Sequence, residues 1–223
     1  MTTDELSRLG DALREAETVG VPWSIDETNT KAKHAPKVEN RRQKIDEHAI
    51  AAIRLLVLTG ARLREILHCR WEYIDDERHM IRLPTSKTGK KTIYLSAAAE
   101  AVLASVKRVE GNPFVFPGAK EGKPRADLNK PWRAVRKTAG LDGVRVHDLR
   151  HSFASFGAGK SLGLHIVGKL LGHTQAATTA RYAHLDADPM HRAAESIGAT
   201  IAAAMNGKPK GEGADNVVPL RGA

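Results

Sequence analysis

Residues 147–182 read HDLRHSFASFGAGKSLGLHIVGKLLGHTQAATTARY, and the reading of the whole chain turns on them. Set on a helix at about 100° per residue, Leu149, Phe153 and Phe156 line up as one apolar stripe. His147, Arg150 and His151 share another side, away from that stripe. Further on come Leu170, Leu171, Gly172 and His173, and then Tyr182 in a helical run from Thr174 that ends near His184. One segment thus offers an arginine, several imidazoles and a phenol. A guanidinium clamps phosphate oxygens, an imidazole moves or shares protons, and a tyrosine can be a covalent nucleophile. Those are parts for phosphoryl transfer without a metal.

Composition agrees with a polyanionic partner. The 223 residues carry 35 Lys and Arg against 26 Asp and Glu, a formal charge of +9, with a sequence pI near 9.8. Nucleic acid is the leading partner class, ahead of a membrane surface, since no long basic amphipathic helix occurs. A single cysteine, Cys69, excludes a disulfide framework and fits a reducing compartment. No signal peptide and no long apolar run is present, which points to a cytoplasmic protein without a membrane partner.

Upstream, Thr2 followed by Glu5 makes a capping box for a helix over residues 2–18, with Leu6, Leu9 and Leu13 at helical spacing. The span from Gly20 to Arg42 is polar and basic and reads as a loop. Residues 46–58 are almost wholly apolar after Asp46, as in a helix buried on all sides, and Gly60 suits its left-handed cap. The next helix opens with Ala61-Arg62-Leu63-Arg64-Glu65, which puts Arg62 and Glu65 on one face. Such a pair is either an exposed salt bridge or an arginine delivered to a pocket and held there by a carboxylate. Its position directly after a buried helix favours the second. Cys69 reads as packing, with nothing nearby to activate its thiol.

Two strand-like runs, His79 to Leu83 and Lys91 to Leu95, flank a hairpin loop with Gly89 at the bend and Lys87, Lys90 and Lys91 at the tip. Ser96 caps a helix running to about Val109. Phe114-Val115-Phe116 reads as a third strand. The window 120–137 is the most basic in the chain, with Lys123, Arg125, Lys130, Arg133, Arg136 and Lys137 placed for backbone phosphate contact. Residues 188–205 make a last amphipathic helix with Met190, Ala194, Ile197, Ile201 and Ala204 on one side. From Gly207 the tail lacks an apolar period and reads as disordered. The fold class is therefore α+β and mainly α-helical, with a small antiparallel hairpin or three-stranded sheet at one edge. The domain boundary falls at 205, and 206–223 form the tail.

Taken together, Thr59-Gly60-Ala61-Arg62-x-x-Glu65, the hairpin Lys87-Thr88-Gly89-Lys90, His147-x-x-Arg150, Leu171-Gly172-His173 and Tyr182 nine residues later resemble the tyrosine recombinase (phage integrase) family. All six elements of that family's pattern stand in the family's order, over about residues 2–205. The resemblance implies a DNA strand-cleaving and rejoining enzyme. Tyr182 attacks the scissile phosphate, Arg62 and Arg150 brace its non-bridging oxygens, and Lys87 protonates the leaving 5′ oxygen. His147 and His173 hydrogen-bond the phosphate and help take the tyrosine proton, and Glu65 orients these groups. The exchange is isoenergetic, so neither ATP nor a metal cofactor is implied. Double-stranded DNA is the implied partner, with a tetramer on DNA and a monomer alone. On this resemblance the first helix is expected to belong already to the catalytic domain, with the family's N-terminal clamp domain expected to be absent.

Two other readings compete. His147 and His151, with His173, have zinc-like spacing, but an Arg between two ligands repels a dication. A non-catalytic DNA-binding module is the alternative function, since the run 163–182 passes for a helix-turn-helix.

Overall fold

In a computed structural model the chain is described over residues 1–23, 41–87, 89–160, 163–185 and 189–205. It divides at Leu185 into a larger unit, Met1–Leu185, and a smaller one, Asp186–Ala223.

The larger unit is mainly helical. Helix α1 (Thr3–Thr18) opens on the expected capping box, in which Thr2 accepts from the Glu5 amide and Glu5 accepts from the Thr2 amide. Its inward residues Leu9, Ala12, Leu13 and Ala16 are buried. Strands β1 (Val21–Pro22) and β2 (Arg42–Gln43) pair antiparallel, so the two ends of the span read as a loop are a short ribbon. Residues 24–40 of that basic loop lie outside the described residues.

Helix α2 (Glu47–Thr59) is the centre of the core. Asp46 caps it through the Ala49 amide, and Ile50, Ile53, Leu55 and Leu56 are buried. It packs against α1, α3 (Leu63–Leu67), α4 (Ala97–Ser105), α5 (Asn129–Thr138) and α6 (Val146–Gly159). Gly60 ends α2 with φ +62°, and a Cβ there would come within 2.5 Å of the Phe153 ring. Glycine is thus required twice, for the left-handed turn and for the close approach of α6.

The sheet is three-stranded and antiparallel, in the order β3 (Ile74–Asp75), β4 (Met80–Leu83), β5 (Lys91–Tyr94). The register pairs Leu83 with Lys91 and Ile81 with Ile93. The third strand is therefore Ile74–Asp75 and not Phe114-Val115-Phe116. Phe114 makes only an isolated bridge to Arg70, and Val115 and Phe116 are buried in the core. A short apolar run signals burial, and burial is not strand pairing. Helix α4 also stops at Ser105, four residues before the expected end. The Val106 amide closes the last turn on Leu103, and Val106 itself is extended.

After α6 come α7 (Leu164–Leu171) and the five-residue α8 (Ala176–Ala180), then a 3-10 turn over Ala183–Leu185. Tyr182 falls between α8 and that turn, where continuous helix was expected. It is buried with Ala154, Ala158, Val167 and Leu171 in a small cluster of its own. In the smaller unit, α9 (Pro189–Met205) is a single helix whose Ile197, Ile201 and Met205 are exposed. The side chains of Met190 and Ala204, and residues 206–223, lie outside the described set. No helix among the described residues is long and apolar enough to cross a membrane.

Candidate active site

Arg62 sits at the N-terminus of α3, where the chain turns out of the Gly60 cap. Glu65, one turn on, is buried and receives three donors. The Arg62 amide reaches Oε2 at 2.8 Å, the Arg62 guanidinium reaches Oε1 at 2.8 Å, and Lys91 Nζ reaches Oε2 at 2.7 Å. Burial alone would raise the Glu65 carboxyl, but the hydrogen bonds from Lys91 and Arg62 outweigh it and hold it below its ordinary value. The carboxylate is thus a fixed negative anchor between two cations.

Lys91 was expected at the hairpin tip, reaching for DNA. It is instead buried, its side chain 5% exposed and paired with Glu65. The reason is the strand period of two. Lys91 is the first residue of β5 and shares the inward face with Ile93, while Thr92 and Tyr94 face the other way. That alternation was legible in the sequence; the cluster of lysines obscured it. Burial lowers the Lys91 ammonium, Glu65 opposes this, and Arg150 and Arg62 add to it. Gly172 leaves room for the lysine: a Cβ there would stand 3.0 Å from Lys91 Cε.

Arg150 is held at the other wall. It is only 6% exposed, and its Nη1 donates to the Gly60 carbonyl at 2.8 Å, which ties α6 to the end of α2. Burial lowers its proton affinity, and so does Arg62, while Glu65 and Tyr182 pull the other way. A guanidinium stays charged through such pressure. Two arginines near enough to repel, with one carboxylate between them, are a site short of negative charge.

His173 follows the left-handed Gly172 cap of α7. Its Nδ1 lies 2.8 Å from Thr179 Oγ1 on α8, and Gly168 lets that threonine approach α7 closely. Burial, then Arg150, Arg62, Lys91 and Arg181, depress the imidazole to about 4. It is neutral at pH 7.

Tyr182 is 7% exposed, and burial raises its phenol, with Arg181 and Arg150 opposing. Its hydroxyl is 2.5 Å from His151 Nδ1. The sequence placed His151 on the polar face of α6 and weighed it only as a metal ligand, not as a partner of the tyrosine. The contact spans 31 positions, so no local pattern announces it. The His151 ring stands edge-on to His147, with centroids 5.0 Å apart.

Lys87 and His147 are exposed and line, with Arg62, a groove of about 730 Å³ beside the hairpin. Lys87 does not join the buried Lys91–Glu65 cluster. Among the other basic residues, Lys90, Lys123, Lys130, Arg133 and Lys137 are exposed. Arg125 and Arg136, expected as phosphate contacts, are committed elsewhere. Arg125 pairs with Asp46 at the cap of α2 at 2.7 Å, and Arg136 donates to the Val144 carbonyl at 3.1 Å. A basic window is read as solvated by default, yet a helix must also anchor its neighbours. Cys69 is buried with its thiol pushed up to about 12, in keeping with packing.

The second helix of the expected helix-turn-helix is α8, with five residues, and its Thr179 points inward to His173. That element serves the cluster and is too short to read a groove.

The model of the phage integrase family matches residues 28–188. The chain belongs to the phage integrase family. Among curated relatives, the tyrosine recombinase XerA of Pyrococcus furiosus is 28% identical over 155 residues, which are 64% of this chain and 53% of that protein. The integrase of Salmonella phage P22 is 27% identical over 185 residues, 74% of this chain and 47% of that one. The tyrosine recombinase XerC of Xanthomonas axonopodis pv. citri is 32% identical over 142 residues, 61% and 46% of the two chains. The chain therefore spans about half the length of the curated relatives it matches. The same fold occurs in XerA recombinase, with TM-score 0.58 at 19% identity over 88% of this chain and 62% of that one. It occurs again in XerH recombinase bound to a palindromic difH substrate, with TM-score 0.59 at 20% identity over 89% and 52%. The motifs that carry the resemblance in the sequence, from Arg62 to Tyr182, all lie inside the matched span.

Proposed function

We propose that this chain is the catalytic domain of a site-specific DNA recombinase or integrase, which cleaves and rejoins strands through a 3′-phosphotyrosyl intermediate. The observation that carries the proposal is a buried phenol beside Arg150, which in turn stands near Arg62 and the carboxylate of Glu65, from segments 120 residues apart in the chain (182 − 62). Family membership and the fold shared with recombinases solved on DNA support it.

In this reading the scissile phosphate enters between Arg62 and Arg150, whose planar forks brace its non-bridging oxygens as charge builds in the transition state. Glu65 and Lys91 hold Arg62 in place. His173, uncharged at pH 7, hydrogen-bonds one oxygen, and His147 serves at the groove. Tyr182 forms the bond to phosphorus while the 5′ oxygen leaves. Lys91 is bound to Glu65, so the exposed Lys87 protonates that oxygen. One phosphodiester is exchanged for another, so neither ATP nor a metal is required. Lys90, Lys123, Lys130, Arg133 and Lys137 contact the duplex backbone. The protein works on DNA in the cytoplasm, is monomeric alone, and assembles as a tetramer on DNA, with the apolar side of α9 as the route.

A nicked suicide substrate that traps the covalent intermediate tests this. The unaltered chain gives a protein–DNA adduct, and Tyr182→Phe gives none while binding DNA with the same affinity, since only a hydroxyl is lost. Adduct in the phenylalanine variant removes Tyr182 from the role. A mobility shift without adduct in either protein makes the chain a DNA-binding module.

A further inference from the structure

Three imidazoles surround the candidate nucleophile, and they are not equivalent. His173 has its Nδ1 engaged by Thr179 at 2.8 Å. His147 is exposed on the first turn of α6 and meets the neighbouring imidazole edge-on. His151, one turn further along α6, is half-buried and places Nδ1 2.5 Å from the Tyr182 hydroxyl. Among the described residues it is the only hydrogen-bond partner of that oxygen. The family resemblance assigns the tyrosine proton to His147 and His173, yet among the described residues the phenol's hydrogen bond goes to His151.

Resting on the assignment of Tyr182 as nucleophile, we propose that His151 is the general base of strand cleavage, taking the phenolic proton on Nδ1 as Tyr182 attacks phosphorus. The hydroxyl has one proton and must lose it to form an ester, and a neutral imidazole nitrogen lies on its path. The transfer balances. The O–H bond breaks and the proton passes to Nδ1 as the bond from the phenolic oxygen to phosphorus forms. The bond from phosphorus to the 5′ oxygen breaks, and that oxygen takes a proton from the Lys87 ammonium. Rejoining runs the same steps backwards: the 5′ hydroxyl returns its proton to Lys87, and imidazolium His151 returns its own to the departing phenolate. His147 stands edge-on to the His151 ring, with centroids 5.0 Å apart. Burial, His147 and the neighbouring arginines favour the uncharged form of His151, the form a base needs, while Asp148 opposes them.

The test separates loss of a base from loss of an acid. Adduct formation is timed for the unaltered chain, His151→Ala, His151→Asn and Lys87→Ala, on two suicide substrates. One carries oxygen at the bridging 5′ position and the other sulfur, whose thiolate leaves without needing a proton. Both His151 variants are expected to slow adduct formation about 10²- to 10⁴-fold on both substrates, with DNA affinity unchanged. Lys87→Ala is slow on oxygen alone. Imidazole added to His151→Ala restores part of the rate. Asparagine can accept the phenol's hydrogen bond but cannot take its proton, and it carries the test if the alanine variant fails to fold. A rate close to that of the unaltered chain in His151→Asn would overturn the proposal, leaving the ring a mere hydrogen-bond partner. Rescue of His151→Ala by sulfur would overturn it as well. If the unaltered chain gives no adduct, or Tyr182→Phe gives one, the reading of Tyr182 itself falls, and this base with it.

Discussion

At the scale of single residues, the site depends on charges kept in proportion. Lys91 and Glu65 are each about 5% exposed, and Arg62 shares the carboxylate. Removing one partner of such a buried pair leaves the other without compensation. Lys91→Met should therefore cost about 3–5 kcal/mol of unfolding free energy, measured by denaturant melting. A loss below about 1 kcal/mol would place the pair among ordinary surface bridges. His173 makes a second prediction. Its native value of about 4 lies below the ordinary 6.5, so the folded state binds fewer protons than the unfolded one through that interval. Its contribution to stability is complete above pH 6.5 and is lost as the pH falls toward 4. A ring-proton NMR titration of the DNA-free chain should show His173 uncharged at pH 6. Titration at or above its ordinary value would mean that the cations around it lie farther away than the geometry has them.

At the scale of elements, the site is held by junctions. Arg150 reaches the Gly60 carbonyl, so the end of α2 positions a side chain of α6. A methyl group at Gly60 meets the Phe153 ring at 2.5 Å and must also adopt φ +62°. Gly60→Ala should destabilise the fold by about 1–3 kcal/mol through overpacking alone. It should also slow adduct formation, because Arg150 loses its anchor. Unchanged stability and unchanged cleavage together would show that α6 can shift without cost. The hairpin obeys the same logic. Lys91 lies on the inward face of β5 and reaches the carboxylate, while Lys87 lies in the loop between β4 and β5 and stays at the groove.

At the scale of the whole molecule, the cations Lys90, Lys123, Lys130, Arg133 and Lys137 are exposed and are the residues proposed to meet the duplex. Binding through backbone phosphates releases counterions, so log K should fall with log salt at about −0.9 per phosphate neutralised. Lys123→Ala or Arg133→Ala should each flatten that slope by about one contact. Arg125→Ala should leave the slope unchanged and lower stability, since it removes the partner of Asp46. The check is a titration on one duplex at several salt concentrations. If Arg125 changes the slope as Lys123 does, its pairing with Asp46 gives way on DNA. Binding by this chain alone is expected to be weak and poorly sequence-selective, because phosphate contacts carry no base information. Tight selective binding at physiological salt would refute that.

The sequence alone determined the residue types and their order: Arg62, Lys87, His147, Arg150, His173 and Tyr182 stand in line with caps and helical periods around them. It determined α2 as the buried centre, because an apolar helix has nowhere else to go, and Gly60 as its cap. Each of these is a local property, settled within a few residues by backbone sterics and hydrophobic period. Only the tertiary structure decided that Lys91 belongs to Glu65, that Arg125 and Arg136 serve their neighbours, that β3 and not Phe114-Val115-Phe116 completes the sheet, and that His151 meets Tyr182. These are contacts between segments distant along the chain. They are settled by which surfaces remain to be buried once the helices have packed, and no spacing within one segment records that.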